Sequence, residues 1–67
     1  MSVVKVIELI AESSKSWEDA AQEAINEAAK TVRNIKTAYV KDMQAIVENN
    51  KIARYRVNVQ VTFMVEG

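Results

Sequence analysis

This chain of 67 residues contains neither cysteine nor histidine, which excludes disulfide bonds, thiolate metal sites and histidine-based catalysis. Hydrophobic residues make up 49% of the sequence, as is typical of a globular domain rather than a disordered one. Lys and Arg together number 9, and so do Asp and Glu, so the zero net charge argues against a partner held mainly by phosphate contacts, such as a nucleic acid.

The first two predicted elements are a short strand and an amphipathic helix. Residues Val3–Ile10 are rich in β-branched side chains and predict a strand, which the polar segment 12–15 ends. Ser16 and Asp19 fit a capping box, in which the Ser16 hydroxyl accepts from the Asp19 amide and the Asp19 carboxylate reaches back. Apolar residues at helical spacing then predict a helix over Trp17–Asn34, with an apolar stripe made mostly of alanine.

Two long strands joined by a tight turn complete the predicted fold. From Thr37 onwards the apolar pattern has a period of two, and Asn49-Asn50 fits a two-residue turn because asparagine tolerates positive φ well. Glu48 and Lys51 would flank this turn as an opposite-charge pair. The resulting register pairs Val47 with Ile52, Met43 with Arg56, Tyr39 with Gln60 and Thr37 with Thr62.

A right-handed crossover through the helix places the last strand in the middle of the sheet. The predicted fold class is therefore α+β, a β-α-β-β chain whose three-stranded antiparallel sheet, in order 1-3-2, packs against one amphipathic helix. A domain this small buries only about 60% of the surface that its unfolded chain exposes, so it needs a disulfide, a structural metal or a partner chain for stability. We therefore expect one domain, residues 1–67, that assembles with copies of itself.

The N-terminus does not have the pattern of a signal peptide. Its apolar run is broken by Lys5 and Glu8, and no small-residue cleavage pattern follows. No segment approaches the roughly 20 apolar residues of a membrane span. We expect a cytoplasmic protein that has neither a membrane nor a nucleic acid as its partner.

No arrangement of residues predicts an enzyme. Acid–base chemistry would fall to carboxylates, Lys or Tyr, and a chain whose single glycine is its last residue lacks a glycine-rich phosphate loop. A second hypothesis is a hard cation on an assembly axis, where one carboxylate from each subunit converges. Its candidate ligands are Glu8, Glu12, Asp42 and Glu48, and the sequence does not choose between them.

Two further features allow both a binding and a structural interpretation. Lys51, Arg54 and Arg56 cluster near the hairpin and could hold an anion, but the zero net charge favours ion pairs with Glu or Asp of other subunits. Trp17 could be a platform for a ligand, but its place in the apolar period favours an anchor in the core or at an interface.

The order and spacing of these elements resemble the dodecin family over essentially the whole chain. No single motif is specific, but length, order and spacing match together. The matching residues are Glu8-Leu9, Ser13, Ser16-Trp17, Ala20-Ala21, Ala24-Ile25, Ala28, Thr31–Ile35, Val40, Tyr55–Val61, Phe63 and Glu66.

Dodecins are small hollow dodecamers that bind flavins without catalysing a reaction. The resemblance therefore implies a non-catalytic homo-oligomer that stores and quenches flavin (FMN, FAD or riboflavin). In the family a Trp just after the helix stacks on the flavin ring, and a Gln early in the last strand bonds its polar edge; these positions hold Thr37 and Arg56 here. Two positions that carry Arg in some bacterial members hold Gln44 and Met64.

The predicted register and the resemblance together suggest a flavin site on the sheet face away from the helix. Tyr39 is the expected substitute for the missing stacking Trp. The alternative is a flavin-incompetent shell with a structural role or with a bound metal ion or anion, because losing one stacked ring weakens binding roughly ten- to a hundredfold. The register projects Thr37, Tyr39, Met43, Arg56 and Gln60 from that face, and the expected flavin-binding residues are Thr37, Tyr39, Gln44, Arg56 and Gln60.

Overall fold

In a computed structural model, residues 2–65 are described and form three strands and one helix. The sheet is antiparallel in the order β1-β3-β2, and the helix packs on one of its faces, so the predicted fold class is confirmed. Glu66, part of the resemblance, lies outside the described residues. The elements are β1 Val3–Ser13, α1 Trp17–Ala28, β2 Ile35–Glu48 and β3 Lys51–Val65.

The core is a thin layer between α1 and the middle strand. Alanine side chains end at Cβ, so the helix lies close to the sheet and adds little buried area per residue. The 12 residues of α1 span about 18 Å, whereas the 15 residues of β3 span about 50 Å, so the helix covers only part of one sheet face. The fully buried apolar residues are Ala20, Ala24, Ala28, Val57, Val59 and Val61.

The helix ends at Ala28, so the predicted end at Asn34 is wrong. The amides of Thr31 and Val32 both donate to the Ala28 carbonyl, at 3.1 and 3.0 Å, which closes the last turn. Asn34 then takes a left-handed conformation, with φ of 61°, that a right-handed helix does not contain. Its carbonyl accepts from the Met64 amide at 3.0 Å, which directs the chain towards the sheet.

One of the two hydrogen bonds of the predicted capping box is present at the start of the helix, and the other is replaced by a bond to Ser13. The Ser16 hydroxyl accepts from the Asp19 amide at 2.9 Å. The Asp19 carboxylate accepts from the Ser13 hydroxyl, and that hydroxyl also accepts from the Lys15 amide at 2.9 Å. Because Ser13 still pairs with Tyr55, strand β1 continues beyond the predicted end at Ile10, and its last residue is bonded directly to the helix start.

The turn between β2 and β3 is the predicted two-residue turn. Asn49 and Asn50 have φ of 53° and 63°, the left-handed region that this turn requires at both positions. Glu48 and Lys51 are cross-strand partners on either side of it.

The predicted register is correct at three positions and wrong at one. Met43 pairs with Val57 rather than with Arg56, because the ladder slips by one residue between Ile46 and Val47 and slips back between Val40 and Asp42. A shift of one residue moves a side chain to the other face of the sheet. Met43 therefore lies on the helix side, and Gln44 is the residue opposite Arg56. The correct pairs are Val47–Ile52, Tyr39–Gln60 and Thr37–Thr62.

Candidate functional site

The sheet face away from α1, here called the uncovered face, carries all five residues predicted to bind flavin. Residues of β3 alternate between this face and the buried side of Val57, Val59 and Val61. The cross-strand rows on the uncovered face, each from β1 through β3 to β2, are Val6–Thr62–Thr37, Glu8–Gln60–Tyr39, Ile10–Asn58–Asp42 and Glu12–Arg56–Gln44.

The predicted residues form two groups rather than one site. Thr37, Tyr39 and Gln60 lie in two adjacent rows, whereas Gln44 and Arg56 lie about 14 Å further along β3. The hydroxyls of Thr37 and Thr62 are hydrogen-bonded to each other. The Tyr39 side chain is 62% exposed, so its ring has an open face.

The second group lines a cleft of about 140 Å³ on the uncovered face. Sequence reasoning did not assign Asn58 to any site, although its alternation with Arg56 and Gln60 along β3 places it on this face. Its Oδ1 atom is shielded from solvent and has no hydrogen-bond partner among residues 2–65. The residues lining this cleft are Ile10, Asp42, Gln44, Arg56 and Asn58.

An ionic network centred on Glu12 closes one end of the cleft. Its carboxylate accepts from Nε and Nη2 of Arg56 at 2.7 and 2.5 Å, and from Nε of Arg54 at 3.2 Å. Arg54 also lies 3.7 Å from Glu48. Both arginines thus have partners within their own chain, where ion pairs to other subunits were predicted. These side chains are 32–59% exposed, and such pairs each stabilise a fold by about 1 kcal/mol or less.

Trp17 lies on the helix side of the sheet and acts as an anchor between elements. Its ring meets Tyr55 edge-on, with centroids 4.8 Å apart and an interplanar angle of 72°. Its Nε1 donates to the Gln44 carbonyl at 3.2 Å, which ties α1 to β2. Beside it lies an open apolar groove whose floor includes Met43 and Val57. These contacts favour the packing interpretation of Trp17.

The predicted carboxylate ligands do not meet in one chain. Within residues 2–65, no three Asp or Glu side chains lie close enough together to hold one metal ion. A cation site would therefore draw on amide oxygens, backbone carbonyls, waters or carboxylates of another copy in addition to the carboxylates of one chain. The same residues also contain no helix long and apolar enough to cross a membrane.

Comparison with known proteins identifies the family. The model of the dodecin family matches residues 3–66. The chain belongs to the dodecin family. Calcium dodecin of Mycobacterium tuberculosis is 40% identical over 63 residues, which cover 94% of this chain and 89% of that protein.

Solved dodecin structures have the same fold. A variant of the dodecin from Thermus thermophilus, 30% identical, superimposes with a TM-score of 0.93 and is matched over 100% of this chain and 98% of that one. The crystal structure of the M. tuberculosis calcium dodecin, described as calcium-chelating and as having a novel calcium-binding site, is 37% identical. Its TM-score is 0.82, over 97% of this chain and 93% of that one.

Proposed function

We propose that this dodecin forms a non-catalytic homo-oligomeric shell that binds a hard divalent cation on the uncovered face, rather than flavin. One observation carries the proposal: the carboxylates on the sheet all lie on this face, where their oxygens suit Ca²⁺ or Mg²⁺. A relative 40% identical to the chain is named a calcium dodecin, which supports the same conclusion. The four carboxylates are Glu8, Glu12, Asp42 and Glu48.

Assembly is supported by the apolar side chains that a single chain leaves open. Ile10 is 67% exposed and Val6 49% exposed on the uncovered face, and Met43 is 62% exposed on the helix side, beside Trp17 at the start of the helix. Large apolar side chains exposed together mark an interaction surface. The dodecamer, the absence of catalysis and the cytoplasmic location stay predictions.

The residues at the two flavin-contacting positions of the family pattern suit flavin poorly in this chain. The position of the stacking Trp holds Thr37, whose hydroxyl is bonded to Thr62 and offers no ring. The position of the edge-binding Gln holds Arg56, whose guanidinium is engaged by Glu12. A flavin would have to do without the ring contact and compete with a charge-assisted ion pair.

Flavin storage remains the second candidate function because of Tyr39. This ring is exposed on the uncovered face, directly opposite Gln60, whose amide could bond a polar ring edge. An exposed aromatic ring beside an amide is the minimum that stacking and edge recognition need.

Calorimetric titration with CaCl₂ and MgCl₂, on protein shown by light scattering to be a large oligomer, tests the first candidate. We expect saturable Ca²⁺ binding. The stoichiometry should be fewer than one ion per subunit if the ion lies on a symmetry axis, and one ion per subunit if each chain holds its own. An intact oligomer that gives no saturable signal with either ion would refute the proposal.

Quenching of riboflavin fluorescence tests the second candidate. The double variant Thr37→Trp/Arg56→Gln is the positive control, because it restores both positions of the family pattern. We expect strong quenching by the double variant and at least tenfold weaker quenching by the parent protein. Parent quenching as strong as that of the double variant, and lost in Tyr39→Ala, would favour flavin storage over the cation proposal.

A further inference from the structure

Three of the four carboxylates on the uncovered face are already engaged by cations of the same chain. Glu8 lies 3.8 Å from Nζ of Lys41, and Glu12 and Glu48 are held by the arginines of the ionic network. The Asp42 carboxylate forms neither an ion pair nor a hydrogen bond with any other residue in the range 2–65. It is thus the carboxylate on this face whose charge is available to a ligand.

Asp42 lies beside two amide side chains that supply further oxygens. Asn58 is its cross-strand partner, and Gln44 is two residues along the same strand and faces the same cleft. The unpartnered Oδ1 of Asn58 costs stability where it is, because a shielded acceptor without a donor has lost its hydration. Its terminal torsion is broad and soft, so rotation of the amide turns this oxygen into the cleft that Asn58 lines.

The cleft has the size and the charge that a partly hydrated cation needs. Its volume of about 140 Å³ is roughly ten times the 10–15 Å³ that a cavity needs on this measure to hold one water, so it has room for an ion and several waters. Among residues 2–65, the one cation that lines it is Arg56, which is neutralised by the Glu12 carboxylate at 2.5 and 2.7 Å. The uncompensated charge at the cleft is therefore the negative charge of Asp42.

We propose that Asp42, Asn58 and Gln44 together form the cation site of each chain, with Asp42 as its charged ligand. This inference rests on the proposed cation-binding function and names the residues that perform it. Carboxylate and amide oxygens are the ligands of Ca²⁺, which takes six to eight of them and accepts irregular geometry, so waters or a neighbouring copy complete the shell. Mg²⁺ demands near-ideal octahedral geometry and is expected to bind more weakly to such a set.

The test is calorimetric titration of the intact oligomer with CaCl₂, comparing the parent protein with matched variants. Asp42→Asn keeps the shape of the side chain and removes its charge, and we expect the dissociation constant to rise at least tenfold. Asn58→Val removes one oxygen, and we expect a rise of several-fold. Glu23→Gln is the control, since Glu23 is an exposed residue of the helix whose loss should leave Ca²⁺ binding unchanged.

Each outcome separates this inference from the proposed function. Parent-like Ca²⁺ binding by Asp42→Asn overturns the assignment of the site but leaves a cation-binding shell in place. Absence of saturable binding of both Ca²⁺ and Mg²⁺ by the parent protein overturns both. If Asp42→Asn does not assemble, Asp42→Ser is titrated against the same criterion, and the rise in melting temperature caused by Ca²⁺ provides a second readout that is expected to disappear in either variant.

Discussion

The two faces of the sheet differ in what their side chains do, although both are made by the same three strands. On the helix side, the core between α1 and β3 consists of small and β-branched side chains that are fully buried. On the uncovered face, charged and amide side chains alternate with apolar ones that are up to 67% exposed. The alternation of β3 therefore separates two tasks: one face stabilises the fold, and the other is free for binding and assembly.

The largest change in the free energy of unfolding is expected from a substitution on the face that the helix covers. Ala24 is 1% exposed between α1 and the sheet, so Ala24→Leu must push the helix away from β3. We expect the free energy of unfolding to fall by about 3 kcal/mol, as for overpacking of a tight core. Urea denaturation at one fixed protomer concentration measures this change, because assembly contributes to stability.

Ala29→Leu provides the matched control for this substitution. Ala29 caps the same helix but is exposed, and an equal change there should alter stability by about 0.5 kcal/mol or less. Equal losses in both variants would mean that close packing of the alanine stripe does not hold the helix on the sheet.

The fold was predictable because its signals are local. The Ser16 cap, the alanine stripe, the Asn49-Asn50 turn and the alternation of β3 each need only a few neighbouring residues, and the strand order follows from the handedness of one crossover. The end of α1 was missed because residues 29–33 contain no Gly or Pro that would stop a helix. Only the backbone turn at Asn34 and its bond to β3 fix that boundary.

The site was harder to predict than the fold. The alternation of apolar and polar residues correctly predicted which sheet face most site residues occupy. The one-residue slips in the β2–β3 ladder are not visible in that alternation, and they place Met43 on the opposite face from the one predicted. The ion pair between Glu12 and Arg56 joins residues 44 positions apart, so the sequence could not show which arginine is engaged. The orphaned oxygen of Asn58 depends on its neighbours across both strands and is visible only in three dimensions.

A substitution on the uncovered face is expected to raise the free energy of unfolding, by less than Ala24→Leu lowers it. Asn58→Val removes the shielded, unpartnered Oδ1 and adds a side chain that favours strands. We expect the free energy of unfolding without Ca²⁺ to rise by about 1 kcal/mol, measured by the same urea denaturation. Gln60→Val, on the same face and strand, is the control that measures strand preference alone.

The sign of this change in stability tests whether Asn58 serves a ligand or supports the sheet. A gain in stability together with weaker Ca²⁺ binding would mean that Asn58 is kept at a cost to the fold because it serves a ligand. A loss in stability larger than that of Gln60→Val would mean that Asn58 supports the sheet itself, and the division of tasks between the two faces would fail at this position.

The smallest expected change in stability comes from the ionic network. Glu12→Gln leaves Arg54 and Arg56 without their shared carboxylate, yet these side chains are 46% and 40% exposed, so water screens the loss. We expect unfolding to become easier by about 0.5 kcal/mol, close to the effect of Glu27→Gln, which breaks the exposed pair with Lys30 on the helix.

Ligand binding should separate these two variants even though stability does not. Glu12→Gln adds one uncompensated positive charge at the cleft, and repulsion of a divalent ion at about 10 Å in water is worth about 0.8 kcal/mol, or roughly fourfold in affinity. Glu27→Gln removes the same charge from the outer surface of the helix and should change Ca²⁺ affinity much less. Because Coulomb repulsion is screened by salt, the difference between the two variants should shrink as NaCl is raised from 0.01 to about 1 M. A difference that persists at high salt would show that Glu12 binds the ion directly rather than neutralising Arg56.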